Sequence, residues 1–129
     1  MGKEGAGQPC ILVVDDDSNI RKLIVTTLRR EGYTLSEAHN GREALEAMRS
    51  GTEDLVLLDL MMPEVSGWDV LRIREQDAAL RRIPVIVITA NHGAEVSEAV
   101  DSGICALLPK PFALATLHAL VKTCLARHA

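Results

Sequence analysis

The chain has 129 residues, 47% hydrophobic, 25% charged and 2% aromatic, with a formal net charge of -4 at pH 7. This length makes one ordinary domain with a substantial aliphatic core. The composition excludes a disordered or collagen-like chain, and the acidic balance argues against a nucleic-acid-binding face. No apolar run can span a bilayer, and the first ten residues lack the apolar centre of a signal peptide. Cys10, Cys105 and Cys124 are odd in number and widely spaced. They match neither a disulfide framework nor a zinc pattern, and they suggest a reducing, cytoplasmic setting.

Residues 1–9 are Gly-rich and polar and are expected to form a mobile leader, with a single domain over 10–127. Ile11-Leu12-Val13-Val14 is a continuous apolar, mostly β-branched run, as expected of a strand buried on both faces of a parallel sheet. Ile20, Leu23, Ile24, Thr27 and Leu28 then recur at helical spacing, with Ser18 as N-cap and Gly32 as stop. Thr34 to Ala38 is a weaker strand, and Asn40-Gly41 turns the chain into a helix through Ala44, Leu45 and Met48 that Gly51 closes. Leu55-Val56-Leu57-Leu58 is the clearest strand and runs into Asp59, and a helix through Val70, Leu71 and Ile73 follows. Val85 to Ile88 is a fourth strand ending at Thr89-Ala90, followed by a short helix marked by Val96, Ala99 and Val100. Ala106-Leu107-Leu108 is a fifth strand, stopped by Pro109. A last helix places Leu114, Leu117, Val121, Cys124 and Leu125 on one face. Five strands, each followed by a helix, predict an α/β fold: a five-stranded parallel sheet with helices on both faces.

In open sheets of this kind, sites lie at the carboxyl ends of the strands. The first strand ends in Asp15-Asp16-Asp17, the third in Asp59 and the fourth in Thr89, while the fifth leads to Lys110. If these ends converge, crowded carboxylates share one crevice with a hydroxyl and an ammonium. A hard divalent cation such as Mg2+ is the natural compensation for such crowding.

Together these residues resemble the receiver domain of two-component response regulators. The carriers are Asp15-Asp16, Asp59 with Met62-Pro63 and Gly67 behind it, Thr89-Ala90, and Lys110-Pro111-Phe112. The resemblance covers Ile11 to Leu125. It implies the (βα)5 doubly wound, flavodoxin-like fold and a phosphorylation switch rather than an enzyme, with at most slow self-dephosphorylation. Asp59 would accept a phosphoryl group from a phosphohistidine. Asp15, Asp16, Asp59 and the backbone carbonyl of Met61 would hold Mg2+, while Lys110 and Thr89 would bind phosphoryl oxygens. The implied partners are a histidine kinase or phosphotransfer protein and a downstream effector, with a second copy of the chain a further candidate. The partner face would include Leu107 and parts of Glu95 to Ser102. Two features stand apart from the family pattern. Leu107 occupies a position often held by Tyr or Phe, so the aromatic half of the Thr/aromatic coupling is missing. Met61 and Asn91 fall where side chains tune the acyl-phosphate lifetime. The Lys-Pro bond in this family is usually cis, as only a bond before proline tolerates.

Blander explanations stand beside these. The aspartate triplet alone is as compatible with a solvated turn, and Asp17 is the member most suited to being a cap. Met48, Met61 and Met62 suit core filling, and Cys105 and Cys124 read as buried thiols. His39, His92, His118 and His128 show no ligand spacing. Two other functions use the same residues. Ile11 to Asp17 also resembles the first motif of haloacid-dehalogenase-type phosphatases, with Asp15 as nucleophile and Asp17 as general acid. Asn19 departs from that motif, and the chain lacks length for its later elements. A degenerate receiver used only for protein interaction would have no chemical need of the full acidic, hydroxyl and lysine set.

Overall fold

A computed structural model describes residues 8–90 and 103–127. Five parallel strands form one sheet in the order β2-β1-β3-β4-β5. They are β1 (Cys10–Val14), β2 (Thr34–Ala38), β3 (Leu55–Asp59), β4 (Val85–Thr89) and β5 (Ala106–Pro109). The described helices are α1 (Ser18–Arg30), α2 (Gly41–Arg49), α3 (Gly67–Gln76), α4 (Ala78–Arg81) and α5 (Leu114–Arg127). The doubly wound parallel architecture expected from the strand–helix alternation is therefore present. The leader over residues 1–7 and the helix expected around Val96, Ala99 and Val100 lie outside the described residues.

The strands read as continuous apolar runs because both faces of the sheet are covered. Leu12, Val14, Val56, Leu58, Val85 and Val87 point to one side, where Ala44, Leu45 and Met48 of α2, Val70 and Leu71 of α3 and Leu80 of α4 meet them. Ile11, Val13, Leu55, Leu57, Ile86, Ile88 and Leu108 point to the other, against Ile24, Val25 and Leu28 of α1 and Leu117 and Val121 of α5. The period of two along each strand thus divides the core into two layers.

Several local expectations need correction. The N-cap of α1 is Asp17, not Ser18; its Oδ1 accepts from the backbone N–H of Asn19 at 2.9 Å and Ile20 at 3.3 Å. Leu114 and Met61 are exposed rather than core residues, at 38% and 53%. Leu114 is the first residue of α5, where the helix has only begun to approach the sheet. Met61 sits in the loop leaving β3, while Met62 turns inward. Cys105 and Cys124 are not separate thiols but a disulfide, with Cα atoms 6.1 Å apart. It joins the residue before β5 to the third buried position of α5, positions that only the βα crossover brings together. The odd cysteine count is explained by Cys10, which takes no part in a disulfide. Cysteine usage therefore gives no support to a reducing compartment, where disulfides are rare. Among the described residues, no helix is long and apolar enough to cross a membrane.

Arg74 is the main core residue that periodicity does not reveal. It is 3% exposed in the last turn of α3. Its Nε–H donates to the carbonyl of Ile83 at 3.0 Å and its Nη2–H to that of Arg81 at 3.3 Å. The guanidinium thus serves backbone acceptors in the turn that feeds β4. Replacing it by Met keeps the aliphatic volume but removes the donors from a buried site. Arg74→Met is expected to cost about 2–3 kcal/mol, as for lost charge-assisted hydrogen bonds, read as a lower urea midpoint with an unchanged slope. An unchanged midpoint would show that Arg74 contributes packing alone.

Candidate functional site

The carboxylates, hydroxyl and ammonium singled out in the sequence, Asp15, Asp16, Asp59, Thr89 and Lys110, lie at the carboxyl edge of the sheet. β1 stops at Val14, and Asp15 follows at once, held by its own N–H donating to the carbonyl of Ala38 at 3.2 Å. Its Oδ1 accepts from the N–H of Asp17 at 2.9 Å, a local turn of the kind Asp favours. Asp59 is the last residue of β3, and its Oδ1 accepts from the N–H of Met61 at 3.1 Å. Asp15, Asp16 and Asp59 bring one carboxylate oxygen each within 4.8 Å of one another, with Asp15 and Asp59 buried and Asp16 exposed. This set of hard oxygen donors fits a divalent cation that prefers carboxylates and water.

Lys110 follows β5, and its Nζ lies 3.3 Å from Asp15 Oδ2 and 3.7 Å from Asp59 Oδ2. Each buried carboxylate therefore uses one oxygen on backbone and turns the other toward the same ammonium. The Lys110–Pro111 peptide bond is cis, as the family pattern suggests. The backbone N–H of Lys110 donates to the carbonyl of Thr89 at 2.9 Å, which joins the ends of β4 and β5. Thr89 is buried and stands one register step beyond Ile88, the residue that pairs with Asp59.

Burial is the largest influence on Asp59 and pushes its carboxyl up to about 6. The Met61 N–H opposes this, Asp15 adds to it, and Lys110 again opposes it.

The site residues Asp15, Asp16, Asp59, Thr89, Lys110 and Met61 are thus gathered at one edge. Asp17 is turned away as the cap of α1, which leaves it unsuited to the general-acid role of the phosphatase alternative. Leu107 is half-buried in β5 and packs against the α2–α3 layer. Asn91 and residues 95–102 lie outside the described residues. Two features escaped sequence reasoning. Glu64, in the loop after Asp59, has a φ of 62°, a left-handed conformation rare for a non-glycine residue. Arg21 on α1 reaches back to the carbonyl of Asp15 at 2.7 Å.

Comparison with known proteins agrees with this geometry. The family model of the response regulator receiver domain matches residues 11–122. Response regulator MprA of Mycobacterium ulcerans is 42% identical over 120 residues, covering 91% of this chain and 50% of the relative. DNA-binding response regulator MtrA of Mycobacterium leprae is 37% identical over 119 residues, covering 92% and 52%. The chain therefore spans about half the length of these curated relatives. Among solved structures, the receiver domain of Francisella response regulator 1452 matches with a TM-score of 0.87 at 31% identity, covering 95% of this chain and 100% of that one. Chemotaxis protein CheY4 of Vibrio cholerae matches with a TM-score of 0.82 at 26% identity, covering 90% and 98%.

The raised Asp59 carboxyl gives a signed dependence on pH. In the unfolded chain the group titrates near 3.8, and in the folded chain near 6. Between these values the native state holds the extra proton, so metal-free stability attributable to Asp59 falls as pH rises through the window. Compared with Asp59→Asn in the presence of a chelator, the wild type is expected to lose about 1–3 kcal/mol between pH 4 and pH 7. Saturating Mg2+ should shrink the loss, because a bound cation competes with the proton. Urea midpoints of the two proteins measure this, and a pH-independent difference would contradict the assigned cost of burial.

Proposed function

The chain belongs to the response regulator receiver domain family, and on that premise we propose that Asp59 is its phosphoacceptor in a Mg2+-dependent switch. The observation that carries this is the convergence of Asp15, Asp16 and Asp59 within 4.8 Å, with Lys110 between the two buried members. The receiver occupies residues 10–127. Asp15, Asp16, Asp59 and the carbonyl of Met61 hold the metal. When bound, Mg2+ supplies positive charge to the phosphoryl oxygens and to the carboxylates crowded around them.

The protein's own groups do the rest. A carboxylate oxygen of Asp59 attacks the phosphorus of a phosphohistidine on the donor, forming a P–O bond as the P–N bond breaks. The imidazole nitrogen keeps the electron pair. Phosphoryl transfer needs in-line positioning and charge neutralisation more than covalent help from the protein, and a carboxylate is a competent nucleophile. Lys110 is already directed at Asp59 and meets a phosphoryl oxygen without leaving the crevice. Thr89, one register step further along β4, offers its hydroxyl to a second. The donor is a histidine kinase or phosphotransfer protein, and the output is a changed surface for an effector protein or domain. Because Leu107 has no ring to move with Thr89, that change does not pass through an aromatic switch at this position. Water slowly reverses the acyl phosphate, and the domain has no other enzymatic role.

Two variants test the assignment. Intact mass after incubation with Mg2+ and acetyl phosphate should show one hydroxylamine-labile phosphoryl adduct on the wild type and none on Asp59→Asn or without metal. Labelling of Asp59→Asn to the wild-type extent would place the acceptor elsewhere. Lys110→Ala should fold and still accept phosphate, yet gain none of the effector affinity that phosphorylation gives the wild type. Wild-type output from phosphorylated Lys110→Ala would remove Lys110 from the switch.

A further inference from the structure

We propose that Arg21 is a positioning residue for the metal site, clamping the β1 terminus so that Asp16 is aimed correctly; this rests on the Mg2+ assignment to Asp15, Asp16 and Asp59. The Arg21 side chain is 14% exposed. Its Nη1–H donates to the backbone carbonyl of Asp15 at 2.7 Å, and its Nε–H donates to Glu37 Oε1 at 2.8 Å. Its own backbone N–H donates to the carbonyl of Asp17 at 2.9 Å within α1. One planar guanidinium thus ties together α1, β2 and the peptide that joins Asp15 to Asp16.

The identity of that carbonyl gives the contact its meaning. A peptide unit is rigid and planar, so holding the Asp15 oxygen fixes the plane that leads to the Asp16 Cα. The Asp15 side chain is held separately, by the Asp17 N–H and Lys110. Asp16 is exposed, so the direction of its carboxylate depends on this backbone. Groups that orient ligands in this way commonly change metal affinity by an order of magnitude or more. Arg is suited to the task because its fork meets two acceptors at once, which a single ammonium does only by compromise.

Charge and geometry make opposite predictions. Arg21 is a cation near a cation site, so by Coulomb repulsion alone its removal would tighten Mg2+ binding. If it positions Asp16, its removal weakens binding. Calorimetric titration of metal-free protein with Mg2+ is expected to give Arg21→Ala an affinity about tenfold weaker than wild type, with Arg21→Lys between them. In acetyl phosphate labelling, the half-maximal Mg2+ concentration should rise by the same factor, while the rate at saturating Mg2+ stays close to wild type. Unchanged or tighter Mg2+ binding by folded Arg21→Ala would overturn the clamp. If Arg21→Ala does not fold, Arg21→Lys carries the test, and wild-type affinity in it is the overturning result. Wild-type protein with no saturable Mg2+ binding would overturn the metal assignment and the clamp together. Binding weakened in Asp59→Asn but not in Arg21→Ala would overturn the clamp alone.

Discussion

Lys110 stands 3.3 Å from Asp15 and 3.7 Å from Asp59, so a single ammonium faces two buried carboxylates, with the exposed Asp16 alongside. Burying charge costs free energy unless a partner compensates, and one positive charge cannot compensate fully here. The site is therefore electrostatically incomplete within its own residues. Burial first, and the neighbouring Asp15 after it, raise the Asp59 carboxyl, and the incompleteness suits the crevice to a divalent cation. The surrounding architecture maintains the imbalance, since β1, β3 and β5 deliver their charged ends to one edge and the apolar layers on both faces keep those ends from drifting apart.

The sheet meets this demand with backbone as much as with charge. The Asp15 N–H is held by β2, the Thr89 carbonyl by the Lys110 N–H, and one oxygen of each buried carboxylate by a neighbouring amide. These bonds leave the remaining oxygens of Asp15 and Asp59 turned into the crevice, where chemistry can use them. A parallel sheet is suited to this because its strands all end in the same direction, so adjacent strands supply both side chains and supporting amides.

Much of this was legible in the sequence, for reasons that can be named. β1, β3 and β4 are unbroken apolar runs because both faces are covered, and even the edge strand Thr34–Ala38 was bounded by Gly32 before it and the Asn40-Gly41 turn after it. The site was legible because each strand ran visibly into a chemical residue. Arg74 was not, since nothing in a sequence shows that a charged side chain will find the carbonyls of Ile83 and Arg81 inside the core. Those carbonyls are presented by α4 and the turn after it, and the four residues of α4 are too few for any period to register. Asp17 and Ser18 are both good caps, and only the backbone geometry chose between them. The disulfide was hidden because its two cysteines are separated by 19 residues and lie on different elements. Arg21 reads as an ordinary helix-surface charge until the path of β1 beside α1 is known.

Gly67 carries no chemistry, yet it fixes how closely α3 approaches the end of β3. A Cβ there would collide with the carbonyl oxygen of Asp59 and lie 2.6 Å from the Cα of Leu60, and the Gly67 N–H already donates to the carbonyl of Leu60 at 3.1 Å. The first turn of α3 therefore rests on the backbone of Asp59 and Leu60 with no spacer between them. A contact without slack transmits displacement. With no side chain between them, the start of α3 and the end of β3 bear on each other directly, as a follower sits against a cam. In this fold the helix that receives the motion is set by the one side chain that is absent.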